Sequence, residues 1–196
     1  MDKLKKNNNR YNDKELSSGM EFAALLEKKK EAIVNAWFEQ VIQTYAPDTA
    51  MFYQNQKDAF ANPVGSTTKQ SLVGLFTALL DRQEDESLAD IIDPLIRIRA
   101  VQNFTPSQAA GFVFSLKPIV RNYFRKNHKK LQIDELLDVE SRIDKLALIG
   151  FDVFMACREK IYSMKTNVER DKIYKAFARA GLIEEVPADE PDPKFV

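Results

Sequence analysis

No proline interrupts the chain between Asp134 and Arg179, and apolar residues return there every three or four positions. Leu136, Val139, Ile143, Leu146, Gly150, Val153, Cys157, Ile161, Met164 and Val168 keep the spacing that lines one side of an α-helix. At ~1.5 Å per residue such a helix exceeds ~60 Å. That is longer than a domain of 196 residues can cover. Its far end is expected to project or to pair with another chain. Ile161, Met164, Val168, Ile173 and Phe177 are the candidate interface. Gly181 suits the C′ position that ends such a helix, with Leu182 as its hydrophobic contact.

The rest of the chain reads the same way. Only six residues are glycine, while Ala, Leu, Glu, Lys and Gln abound, so an all-α fold is expected. Ser18 with Glu21 fits a capping box. Phe22, Leu25, Leu26, Ile33, Trp37, Val41 and Tyr45 then mark a helix closed by Pro47, with Glu27 to Glu31 as its solvated part. A short segment runs from Met51 to Phe60, and Asn62-Pro63-Val64-Gly65 reads as a turn. Ser66 to Leu80 forms a second long helix facing inward with Leu72, Leu75, Phe76 and Leu79. Leu88 to Val101 marks a third, in which Pro94 predicts a late start or a kink. Thr105, Pro106 and Gln108 form the best helix start in the sequence. One helix over 105–127 is expected from there, bent near Pro118. Gly74, Gly111 and Gly150 fall inside three helices and mark candidate close approaches.

Charge and chemistry exclude more than they name. Lys plus Arg and Asp plus Glu both number 29, so no general grip on nucleic acid is expected. No apolar run reaches the ~18–20 residues of a membrane span, and residues 1–16 lack a signal-peptide core, so a cytoplasmic protein is expected. Residues 1–16 (five basic, three acidic) and the acidic, proline-rich 182–196 read as loose tails. The domain proper is assigned to 17–165 and the helix extension to 166–181. The single Cys157 excludes an internal disulfide, and the single His128, amid Lys and Arg, excludes a His-pair metal site. No nucleophile elbow, phosphate loop or zinc-protease motif occurs, so no catalytic residue and no metal ligand is assigned. The acidic group Glu84, Asp85, Glu86, Asp90 and Asp93 lacks calcium-loop spacing.

Arg97 and Arg99 stand out inside an otherwise apolar helix. At ~100° per residue they point to well-separated directions, and Ile92, Leu95 and Ile96 suggest that the face continuing to Arg99 is at least partly covered. A buried guanidinium needs a carboxylate or several acceptors. Three readings stay open: an internal ion pair, possible between Asp93 and Arg97; an anionic ligand or partner; or plain exposure.

The stretch Ile96-Arg97-Ile98-Arg99-Ala100-Val101-Gln102-Asn103-Phe104-Thr105-Pro106-Ser107-Gln108-Ala109-Ala110-Gly111-Phe112-Val113-Phe114 resembles the signature of the RsbR/RsbRD N-terminal domain family, the sensor half of the RsbT co-antagonists. Phe60 to Gly65, and Leu25-Leu26-Glu27 with Trp37, are similar to that family as well. Within the signature the residues of note are Arg97, Arg99, Gln102, Thr105, Pro106 and Gln108. The resemblance implies a globin-like helical fold without haem, usually dimeric, acting as a sensory or scaffolding module. Helices 66–80 and 88–103 would then be the haem-pocket walls, and neither holds a histidine. His128 would lie at a corner away from any proximal position, so no cofactor is expected. In those regulators a STAS domain follows, and none fits residues 182–196, so a stand-alone role is expected.

The leading expectation is a non-enzymatic, haem-free sensory or signalling module acting through a protein partner, as a homodimer. A second is a binding protein for a small anionic or acyl ligand. Its pocket would comprise Trp37, Phe76, Ile92, Arg99, Phe112 and Phe114. A third is an accessory subunit of an anaerobic respiratory or stress-response complex.

Overall fold

The computed structural model describes residues 22–56, 58–102, 104–127 and 133–182. Residues 22–28 are helical and end at a turn on Lys29. Seven α-helices follow: α1 (Lys30–Ile42), α2 (Pro47–Asn55), α3 (Pro63–Leu80), α4 (Asp85–Val101), α5 (Pro106–Ala110), α6 (Leu116–Asn127) and α7 (Ile133–Arg179), with a 3-10 helix (Gly111–Ser115) between α5 and α6. The fold is all-α, with a long C-terminal helix and no strand among the described residues. The described residues form two compact units that divide after Cys157.

In the first unit α3 packs along α4, and α1 lies against α3. Trp37, Leu72, Leu75, Ile92, Leu95, Ile96, Val113, Ile143 and Leu146 are completely shielded at its centre. Glycine permits two of the approaches. A Cβ on Gly74 would sit 2.9 Å from Ile91 Cγ2, and one on Gly150 would sit 3.0 Å from Ile92 Cδ1. A Cβ on Gly111 would meet nothing within 4 Å, so that glycine marks no crossing. It begins the 3-10 helix instead.

Other expectations are corrected. The stretch 105–127 is not one helix, because the 3-10 segment separates α5 from α6. Pro118 has no N–H to give the Phe114 carbonyl four residues back, and its ring crowds that carbonyl. The Phe112 carbonyl is drawn off too, accepting from Trp37 Nε1 at 3.0 Å and Ser115 Oγ at 2.6 Å. The tighter 3-10 winding accommodates both demands. Upstream, Asn62-Pro63 is a helix start rather than a free-standing turn. The Asn62 side chain caps α3 by accepting from the Gly65 N–H, and Pro63 occupies the first turn. α4 starts at Asp85 and carries Pro94 within it. The charged run from Glu27 to Glu31 contains the break at Lys29, so the first helix is not continuous. The Ser18–Glu21 capping box, His128, residues 1–16 and nearly all of 182–196 lie outside the described residues.

In the second unit none of residues 158–182 is buried. The helix there ends as its sequence predicts. Gly181 takes a left-handed φ of 67°, and its N–H and that of Leu182 donate to the carbonyls of Ala178 and Phe177.

Candidate functional site

The inward stripe of α4 comprises Leu88, Ile92, Leu95, Ile96, Arg99 and Ala100, which together recur at three-and-four helical spacing. Arg99 therefore points into the core and is fully shielded from solvent. Arg97, two positions away, points outward and pairs with Asp93 at 2.5 Å. The Asp93–Arg97 ion pair that the spacing allows is thus present, but on the surface.

No carboxylate pairs with Arg99 among the described residues. Oxygen acceptors and ring faces surround it instead. Nη1 donates to the Gln108 carbonyl at 3.0 Å, while Nη2 donates to Thr44 Oγ1 at 3.0 Å and the Val41 carbonyl at 3.3 Å. The Val41 carbonyl lies in the last turn of α1, at the negative end of that helix, where a cation is favoured. The guanidinium carbon lies 5.4 Å from the Tyr45 ring centre, 4.9 Å from Phe104 and 4.8 Å from Phe112. Such cation–π contacts strengthen once desolvated, to about 2 kcal/mol each. Burial pulls the Arg99 pKa down, and the phenol beside it opposes the shift. Burial likewise pushes Tyr45 up, partly offset by Arg99.

The rest of the box is held by backbone capping. Thr105 Oγ1 accepts from the Gln108 N–H, and Gln108 Oε1 accepts from the Thr105 N–H, so the predicted capping box closes fully. That fixes the Gln108 carbonyl on Arg99. Trp37 Nε1 fixes the Phe112 carbonyl, and the Trp37 and Phe112 rings lie 6.2 Å apart. Gln102 Oε1 is buried without a hydrogen-bond partner among the described residues. Arg99 therefore ties together the end of α1, Phe104, α5 and the 3-10 helix.

A model of the RsbT co-antagonist protein RsbRD N-terminal domain matches residues 31–168. The chain belongs to that family. No curated protein and no solved structure matches it. The signature quoted from the sequence is thus a single structural unit, Arg99 with the capped start of α5 that holds its acceptor.

The six residues expected to line a pocket fare differently in this RsbRD N-terminal domain. The structure brings Trp37, Arg99 and Phe112 together, as packed core. Phe76 and Ile92 are buried in the same unit. Phe114 is about half exposed, with the Lys117 ammonium 5.8 Å from its ring. Sequence reading missed Thr44, Tyr45 and Phe104 as walls of the box. The local signal was thin: an aromatic closes each of two segments, with a hydroxyl beside Tyr45. The five candidate interface residues lie on the second stretch of α7. At ~100° per residue Ile161, Met164 and Val168 share one line, while Ile173 and Phe177 share another with Tyr162. Met164, Val168, Ile173 and Phe177 are each about half exposed.

Proposed function

We propose that this RsbRD N-terminal domain is a haem-free sensory or signalling module without enzymatic activity. It acts through protein–protein contact and self-associates through the second stretch of α7. The observation that carries this reading is the run of exposed apolar side chains at Met164, Val168, Ile173 and Phe177, with Ile161 half-buried before them, on a helical stretch that buries nothing. Helices in proteins gain most of their stability from packing an apolar face, so such a stretch calls for a partner surface. Ile161, Met164 and Val168 keep the three-and-four spacing of a coiled-coil seam, and a second copy supplies the matching seam. The family is one of regulatory domains, which supports protein partners over a substrate.

Light scattering tests this directly. At tens of micromolar the full chain is expected to be a dimer, and a chain ending at Ser163 a monomer. A full-length monomer, or a truncated chain that stays fully dimeric, overturns the role given to this stretch. A Soret band in stoichiometric amount after expression with haem supply overturns the haem-free reading. Affinity capture separates a stand-alone sensor from an accessory subunit of a respiratory or stress-response assembly.

A further inference from the structure

We infer that the cavity between α1, α2 and α3 binds a small aromatic carboxylate. Its volume is about 560 Å³, within the size range of small-molecule sites. This site rests on the sensory reading above but lies in a different part of the molecule.

The wall of this cavity is rigid before any ligand arrives. Asn62, almost fully buried, donates from Nδ2 to the carbonyls of Tyr53 at 3.0 Å and Gln56 at 2.9 Å, and accepts from the Gly65 N–H at 2.9 Å. One side chain thus joins the end of α2 to the start of α3. A Cβ on Gly65 would fall 2.4–2.8 Å from the Asn62 amide, so only glycine leaves this clamp intact. Sites preformed in this way avoid the ordering cost of binding.

The lining then selects the ligand. Phe38 and Tyr53 offer rings, which favour an aromatic partner. Gln54, Gln56, Ser66 and Gln70 offer neutral polar groups. Among the described residues Lys69 is the one charged side chain lining the cavity, and it has no ion-pair partner there. The cavity also borders the first turns of α3, whose positive end favours an anion. One cation beside two rings matches a planar monoanion better than a phosphate, which carries more charge and no ring to stack.

The cavity also touches the family signature. The Tyr53 ring meets Tyr45 edge-on at 5.2 Å, and Tyr45 forms one wall of the Arg99 box. A ligand stacked on Tyr53 therefore presses on the contact that holds α1, α4 and α5 together.

Calorimetry on the full chain tests the assignment with benzoate as probe and benzamide as its uncharged analogue. Benzoate is expected to bind at least tenfold more tightly than benzamide. Lys69→Gln, a change at an exposed position, is expected to erase that preference while leaving benzamide affinity unchanged. Ser66→Trp, which fills the cavity, is expected to abolish both. No heat from benzoate up to about 10 mM overturns the proposal. So does equal affinity for the two probes, or benzoate binding that neither variant alters. Each of these results leaves the dimer measured by light scattering untouched, so failure here is distinguishable from failure of the proposed signalling role.

Discussion

The two stretches of α7 are built from similar residues and behave differently. Up to Cys157 the helix buries Glu135, Leu136, Val139, Glu140, Ile143, Leu146, Ala147, Gly150 and Phe154. From Arg158 onward it buries none, although Ile161, Met164 and Val168 keep helical spacing on one line and Ile173 and Phe177 on another. Periodicity alone therefore specifies a helix without specifying what covers it. The first stretch draws stability from tertiary packing. The second has local propensity and pairs such as Lys172–Glu169 (2.8 Å), each worth only about 0.3–0.5 kcal/mol.

The sharpest way to break this contrast is to truncate one apolar residue in each stretch. Phe154 is 1% exposed, so Phe154→Ala should cost about 3–5 kcal/mol through lost burial and the cavity left behind. Val168, 51% exposed, should cost less than about 0.5 kcal/mol when cut to Ala in the monomer. Urea unfolding of the two variants measures both, and equal losses would erase the distinction. Val168→Glu should instead act on association, shifting the dimer's concentration dependence at least tenfold in light scattering.

Gly150→Ala probes the packed stretch more gently. The new methyl meets the end of Ile92 at 3.0 Å, and Ile92 is fully buried, so it must shift against packed neighbours. Overpacking of about 1–3 kcal/mol should outweigh the roughly 1 kcal/mol that alanine gains in helix propensity, so a small net loss in urea midpoint is expected. A gain would show that α4 and α7 yield more readily than their contact distance implies.

The same contrast explains what was legible in the sequence. Helix-by-helix reading worked where the signal is local. The Thr105–Gln108 capping box, the Asp93–Arg97 pair and the Gly181 terminus each rest on residues three to five positions apart. So did the inward faces of α3 and of α7 as far as Gly150, because burial repeats with the helical period; beyond it Val153 and Cys157 are only half-buried and Phe154, off the expected stripe, is buried instead. It failed at α5–α6, where the apolar spacing from Ala109 to Phe124 is unbroken but Pro118 has no N–H to give the Phe114 carbonyl, and the Trp37 indole, 75 positions upstream of Phe112, takes the Phe112 carbonyl. It also failed to supply the Arg99 box. Thr44 lies 55 positions from Arg99, and nothing near either residue announces the partner. The Asn62 clamp was half visible, since Asn-Pro-x-Gly marks a chain reversal but not which carbonyls the amide will hold.

Acid should separate the two stretches a little. Glu140, in the packed stretch, receives Arg121 Nε at 2.6 Å and Nη2 at 2.7 Å, and this pairing holds its carboxyl below the usual carboxylate range. A lowered folded-state pKa means the charged pair stabilises the fold at neutral pH. That contribution drains away as pH falls through the depressed value. Glu140→Gln should therefore lower the urea midpoint at neutral pH, and the gap to the parent chain should narrow in acid. A gap independent of pH would assign Glu140 a packing role only.

The smallest effect belongs to the bare stretch. Thr166 is exposed, between Met164 and Val168 and off their line. Thr166→Ala removes a β-branched side chain that restricts rotamers in a helix and should raise local helix stability by about 0.5 kcal/mol. Circular dichroism should show slightly higher helix content near the melting onset, while the urea midpoint of the first unit stays unchanged. If that midpoint rises by the same amount, residues 158–182 unfold together with the core. The contrast between the two stretches would then be one of exposure alone, not of cooperativity.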